Sequence, residues 1–99
     1  MLNKREKLSA SEVRAILKKG RAVRTAHVLA KYETAGSRKA AVVISKKIAR
    51  SAVERNRLRR ALYRALRQKL PARIHAVFLV QKKTDDFTPD TVTICSKLS

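Results

Sequence analysis

The chain predicts an α+β fold, a two-layer α/β sandwich in the order helix, two or three strands, helix, strand, helix, the larger count giving a four-stranded sheet and the order α-β-β-β-α-β-α. Three observations carry this. Two segments with helix-capping chemistry and 3.6-residue apolar spacing flank a region rich in β-branched residues, and the most apolar run, IHAVFLV at 74–80, has the length and composition of a buried strand. Ninety-nine residues fit one domain, 1–99, able to bury roughly 60–70% of the surface its unfolded chain exposes. The apolar fraction of 44% supports a packed core.

Ser9 and Glu12 have the capping-box spacing, and Leu8 can staple onto Val13, so a first helix is expected over 10–19. Val13, Ile16 and Leu17 form its apolar stripe, and Gly20 is expected to end it in a left-handed stop. Residues 22–32 read as extended chain. The segment 33–39, with Gly36 and Ser37, reads as a hairpin connection that pairs them antiparallel with the strand AAVVIS at 40–45.

Ser51 and Glu54 repeat the capping-box spacing and open a second helix, from Ala52 to about Lys69 and ending before Pro71. After the strand 74–80, Thr88 as N-cap with Pro89 at the first helical position predicts a short last helix, although Thr91, Val92, Thr93 and Ile94 suit a strand equally well.

Charge narrows the function. Residues 1–73 hold 22 basic and 4 acidic groups, the whole net charge of +18, while residues 74–99 are neutral. A charge confined to part of a chain marks a surface for a polyanion. On the second helix, at roughly 100° per residue, Asn56, Arg57, Arg60, Tyr63, Arg64 and Arg67 share an arc of about 120°, and Leu58, Ala61, Leu62, Ala65 and Leu66 take the opposite face. Guanidinium groups present a planar fork that suits bidentate phosphate contact, whereas Lys46 and Lys47 act as point charges. Tyr63 suits either stacking on a base or a half-buried place at the edge of the core. Asn56 suits either an RNA bond or a tie to a neighbouring loop.

Side-chain catalysis has little to work with. His27 and His75 lie in expected strands and read as packing or surface residues. Asp85, Asp86 and Asp90 precede a helix, where carboxylates either complement its dipole or hold a divalent ion, the former being preferred. A lone Cys95 cannot form an internal disulfide and reads as a small apolar filler, and no Cys or His cluster has zinc spacing. No apolar run approaches the roughly 20 residues that span a bilayer, and the N-terminal residues have no signal core, so a cytoplasmic protein without a membrane role is expected.

Ser45-Lys46-Lys47, followed by Glu54-Arg55-Asn56-Arg57-Leu58-Arg59-Arg60, resembles the motif of the bacterial ribonuclease P protein subunit. SEVRAILKKGR at 11–21 looks like that family's first helix, and AVFLVQKK at 76–83 like its last strand. The resemblance implies a ribosomal-protein-like fold with a left-handed β-α-β crossover at the basic helix, against the usual right-handed preference. It implies a protein cofactor for a catalytic RNA, which together remove the 5′ leader from precursor tRNA, with magnesium held by the RNA and no cofactor held by side chains. No obligate protein partner is implied.

By this analogy Lys46, Lys47, Arg50, Arg55, Asn56 and Arg57 contact the catalytic RNA, as do Arg59, Arg60, Tyr63, Arg64 and Arg67. A cleft between the first helix and the sheet receives the single-stranded leader, lined here by Val13, Arg14, Ile16, Leu17, Lys18, Lys31 and Tyr32. The chain departs from the family where Val13, Ile16 and Leu17 replace the usual phenylalanines, leaving Tyr32 as the nearby aromatic. The segment 47–53 also lacks the family's glycine. The alternatives are a ribosomal or other structural RNA-binding protein, and a DNA-binding module, which the strands flanking the basic helix disfavour.

Overall fold

The computed structural model describes residues 7–67, 69–84 and 86–98. Its elements are α1 (Ala10–Lys19), β1 (Arg21–Arg24), β2 (Val28–Thr34), β3 (Lys39–Val43), α2 (Ala52–Leu66), β4 (Ile74–Val80) and α3 (Thr88–Leu98).

α1 begins as its sequence dictates. The Glu12 amide donates to Ser9 Oγ at 3.3 Å and the Ser9 amide to Glu12 Oε1 at 3.0 Å, closing the capping box. Its end differs from expectation. Gly20 is extended, with φ −69° and ψ 156°, so the left-handed stop does not form. Glycine is needed there for space: a Cβ would lie 2.6 Å from the Ile16 carbonyl oxygen and 3.1 Å from that of Tyr32.

The extended stretch 22–32 divides at Thr25, whose amide and hydroxyl both donate to the Val28 carbonyl, at 2.8 and 3.1 Å. β1 and β2 therefore form an antiparallel pair. The expected pairing of β2 with the following strand is not found. The sheet order is β1-β2-β4-β3, with β4 antiparallel to β2 and parallel to β3. The cause lies in β4: every residue but His75 and Leu79 is buried, and such a strand gains most from a neighbour on each side. The segment 35–38 is thus a link around β4, and α2 is the crossover joining parallel β3 to β4.

α2 stops at Leu66, capped by Arg67, short of the expected Lys69. The amides of Lys69 and Leu70 both turn back to the Leu66 carbonyl, at 3.0 and 2.9 Å, as Leu70 is drawn into the core. Arg38 Nη1 donates to the Arg67 carbonyl at 3.0 Å and serves this helix end. Segment 88–98 is a helix because Asp90 and Ile94, and Thr91 and Cys95, are buried at i, i+4 spacing. It starts one residue earlier than expected: the Thr91 amide bonds to the Phe87 carbonyl, and Asp86 Oδ1 accepts from the Thr88 amide. Asp85 lies outside the described residues.

Alternation along the strands assigns the two sheet faces. Val23, Ala30, Ala76, Phe78, Val80, Ala40 and Val42 point toward α2 and α3, where Leu58, Leu62, Leu66, Phe87 and Ile94 complete the main core. Lys31, Val77 and Ala41, in register with one another, point to the other face, which α1 crosses. The sheet with α2 and α3 forms the sandwich. α1 has its own contact, with Ile16 buried beneath it.

Candidate nucleic-acid interface

Packing decides which side of α2 is offered to a partner. With Leu58, Leu62 and Leu66 against the sheet, Arg57, Arg60, Arg64 and Arg67 are all exposed. Their 3-4-3 spacing makes one continuous stripe along about 15 Å of helix, at 1.5 Å per residue. Asn56 is exposed beside it. Its Oδ1 accepts from Arg59 Nη1 at 3.0 Å, so the amide orients a neighbouring guanidinium.

Tyr63 departs from its neighbours. It is 5% exposed and belongs to the core. The reason is its position on the row Arg55, Arg59, Tyr63, Leu66, which borders the buried stripe, and the ring sinks where Arg59 stays half out. Burial raises the phenol's pKa, opposed by a hydrogen bond with the Val42 backbone. Tyr63 thus closes a polar group of edge strand β3 and is removed from any stacking surface.

The loop before α2 brings more charge. Lys46, Lys47 and Arg50 are exposed, and the Ser45 carbonyl accepts from the Ile48 and Ala49 amides, each at 3.1 Å. Ala49, fully buried, stands in this turn, and no described residue has positive φ. The turn does without glycine because it uses ordinary backbone conformations. Arg55 is half-buried, its Nη1 donating to the Ala49 and Arg50 carbonyls.

Within 45–67 there are nine basic residues and one acid, Glu54. Ser51 Oγ accepts from the Glu54 amide at 3.1 Å, but the Glu54 carboxylate pairs with Lys83 instead of returning to the cap. That contact lowers the Glu54 pKa and moves a cation from the end of β4 to the start of α2. Lys7 also joins the site, sharing a surface concavity with Asn56, Arg59 and Arg60. Sequence reasoning missed it because an isolated bridge to Ala40 places it.

The second expected surface assembles in part. Val13 and Leu17 are half-buried, Arg14 and Lys18 exposed, and Lys31 Nζ donates to the Leu17 carbonyl at 2.9 Å, fastening the end of α1 to β2. Ile16 is 1% exposed and cannot line a cleft. Tyr32 points to the opposite face, in register with Arg21 and Ala76, and packs against the main core. The open floor beside α1 is aliphatic, built from Leu29, Leu79 and the 39% exposed Val43.

No described helix is long and apolar enough to cross a membrane. Among the described residues no group of three or more His, Cys, Asp or Glu could hold a metal ion.

The family model for Ribonuclease P matches residues 2–97. No curated protein matches the chain. Among solved structures, the chain is similar to the RNase P protein from Thermotoga maritima, with 18% identity, a TM-score of 0.68 and coverage of 94% of this chain and 91% of that one. It is also similar to a Staphylococcus aureus RNase P protein mutant with defective mRNA degradation activity, with 16% identity, a TM-score of 0.77 and coverage of 96% and 88%. A further S. aureus RNase P protein structure aligns at 18% identity and a TM-score of 0.69, covering 94% and 88%. With the family match over nearly the whole length and the shared fold, the chain belongs to the bacterial ribonuclease P protein family.

Proposed function

We propose that this protein subunit binds the catalytic RNA through α2 and the loop before it, and the 5′ leader of precursor tRNA through the groove beside α1. The observation that carries the reading is the exposed stripe Arg57, Arg60, Arg64 and Arg67, flanked by Lys46, Lys47 and Lys7, with its one carboxylate neutralised by Lys83. Each phosphate neutralised by such a stripe releases condensed counterions, so binding is strong at low salt and falls steeply as salt rises.

The chain's residues bind and orient RNA. In this reading magnesium held by the RNA supplies the hydrolytic chemistry, and the protein works with that RNA in the cytoplasm. Both Asp90 oxygens are engaged by His27, and Glu54 is paired with Lys83, which supports leaving the metal chemistry to the RNA. No step is therefore assigned to a metal on this chain. The leader groove has aliphatic walls with Arg14 and Lys18 at its rim, which favours backbone attraction over base stacking.

Cleavage of a precursor tRNA by the catalytic RNA at low magnesium, with and without the protein, tests the reading. Stimulation of leader removal is expected. Binding to the RNA without stimulation would instead favour the structural RNA-binding alternative.

A further inference from the structure

The first arginine of the Arg55-Asn56-Arg57 run does not face outward with the others. Arg55 is half-buried, and its Nη1 donates to two consecutive carbonyls, Ala49 and Arg50, each at 3.0 Å. Both N–H groups of that nitrogen are thereby directed into the protein's own backbone. Neither carbonyl is served by a strand or helix, since β3 ends at Val43 and α2 begins at Ala52.

The loop is consequently fixed along its length. The Ser45 carbonyl holds the Ile48 and Ala49 amides, the Ala49 side chain is fully buried, Arg55 grips the two carbonyls that follow, and Ser51 starts the helix. Lys46 and Lys47 lie between the first two of these points and are exposed. A lysine at 55 would carry the same charge without the planar guanidinium that reaches both carbonyls from one nitrogen.

We infer that Arg55 is a positioning residue for RNA binding: it locks the loop 45–51 so that Lys46 and Lys47 stand beside the α2 arginine stripe. This rests on the RNA-binding reading above. An arginine that contacts phosphate acts independently of its neighbours, whereas one that positions a loop acts through the loop's own cations. The two roles differ in additivity.

The test is a set of double-mutant cycles on affinity of the full chain for the ribonuclease P RNA transcript, measured over a range of salt. Arg55→Ala is combined with Lys46→Ala/Lys47→Ala and, separately, with Arg57→Ala. The lysine pair should lose most of its effect once Arg55 is replaced, a coupling of about fivefold or more, while Arg57→Ala keeps its full effect in both backgrounds. General loosening of the fold would not spare Arg57 in this way. Arg55→Lys keeps the charge and should show the same loss of the lysine pair's effect, which covers the case in which Arg55→Ala does not fold. Equal lysine effects in both backgrounds, with the salt slope falling by about one for Arg55→Ala, would make Arg55 a phosphate contact and overturn the inference. Failure of the unmutated chain to bind the transcript would overturn the RNA-binding reading itself, and this inference with it.

Discussion

His27 and Asp90, 63 residues apart, meet through two hydrogen bonds: the His27 amide donates to Asp90 Oδ1 at 3.2 Å, and the ring Nδ1 lies 3.0 Å from Oδ2. A carboxylate at that distance selects the tautomer protonated at Nδ1. The His27 carbonyl accepts from the Gln81 and Lys82 amides, at 2.7 and 3.2 Å. One residue in the β1–β2 turn therefore ties together the exit of β4 and the first turn of α3. Asp90 is 4% exposed, and this pairing accounts for a buried charge that sequence alone places near a helix start.

Burial raises the Asp90 pKa, and the polar contacts of the Thr25 hydroxyl and of the His27 ring and amide outweigh it, leaving a net lowering. A carboxyl held lower in the folded state contributes stability above its unfolded value of about 3.9, and the contribution is lost as pH falls through the folded value. Urea midpoints followed from pH 7 to 2 should fall steeply below about pH 4, and Asp90→Asn should flatten that acid limb. At neutral pH Asp90→Asn should cost about 1–3 kcal/mol, since a buried partner is lost. Identical acid limbs in both proteins would contradict the assignment.

Gly20→Ala should destabilise by about 1–3 kcal/mol. The backbone there is one alanine adopts freely, and the cost comes from its methyl meeting the Ile16 and Tyr32 carbonyl oxygens, which are backbone and cannot swing aside. A thermal melt reads this directly. An unchanged melting temperature would mean the α1–β2 contact is looser than the distances indicate.

Tyr63→Phe should cost about 0.5–1.5 kcal/mol through loss of the hydroxyl's bond with the Val42 backbone, and leave RNA affinity and its salt dependence unchanged. Weaker RNA binding at unchanged stability would restore Tyr63 to the binding surface.

Arg57→Ala with Arg60→Ala should leave stability within about 0.5 kcal/mol, because both are exposed and Arg60 sits four residues from Arg64, a repulsive spacing. RNA affinity should fall and its salt slope should drop by about two. Circular dichroism and a salt series on the same samples separate the two effects, and an undiminished slope would remove these residues from the contact.

How much of this was legible in the sequence follows from how local each signal is. The Ser9–Glu12 box, the β4 run and the exposed arginine row on α2 depend on neighbours within a turn or a strand, and each is found where the sequence puts it. Sheet order is not local: β4 enters between β2 and β3 because of its apolar faces, which a hairpin reading of 33–39 cannot register. The same limit applies to the site. Tyr32 and Lys31 are adjacent in sequence, yet alternation sends them to opposite faces, and only the register with Ala76 and Val77 shows which one meets α1. Tyr63 lay on the boundary of the helical arc, where about 20° of rotation separates the buried Tyr63 from the exposed Asn56. Lys7, Lys83 and the inward turn of Arg55 depend on contacts between segments.

The most direct test is a gel-shift titration of the ribonuclease P RNA transcript with the purified chain in dilute buffer, repeated at rising salt. Tight binding that weakens steeply with salt is the predicted result. A transcript whose mobility stays unchanged across the titration at low salt would contradict the account.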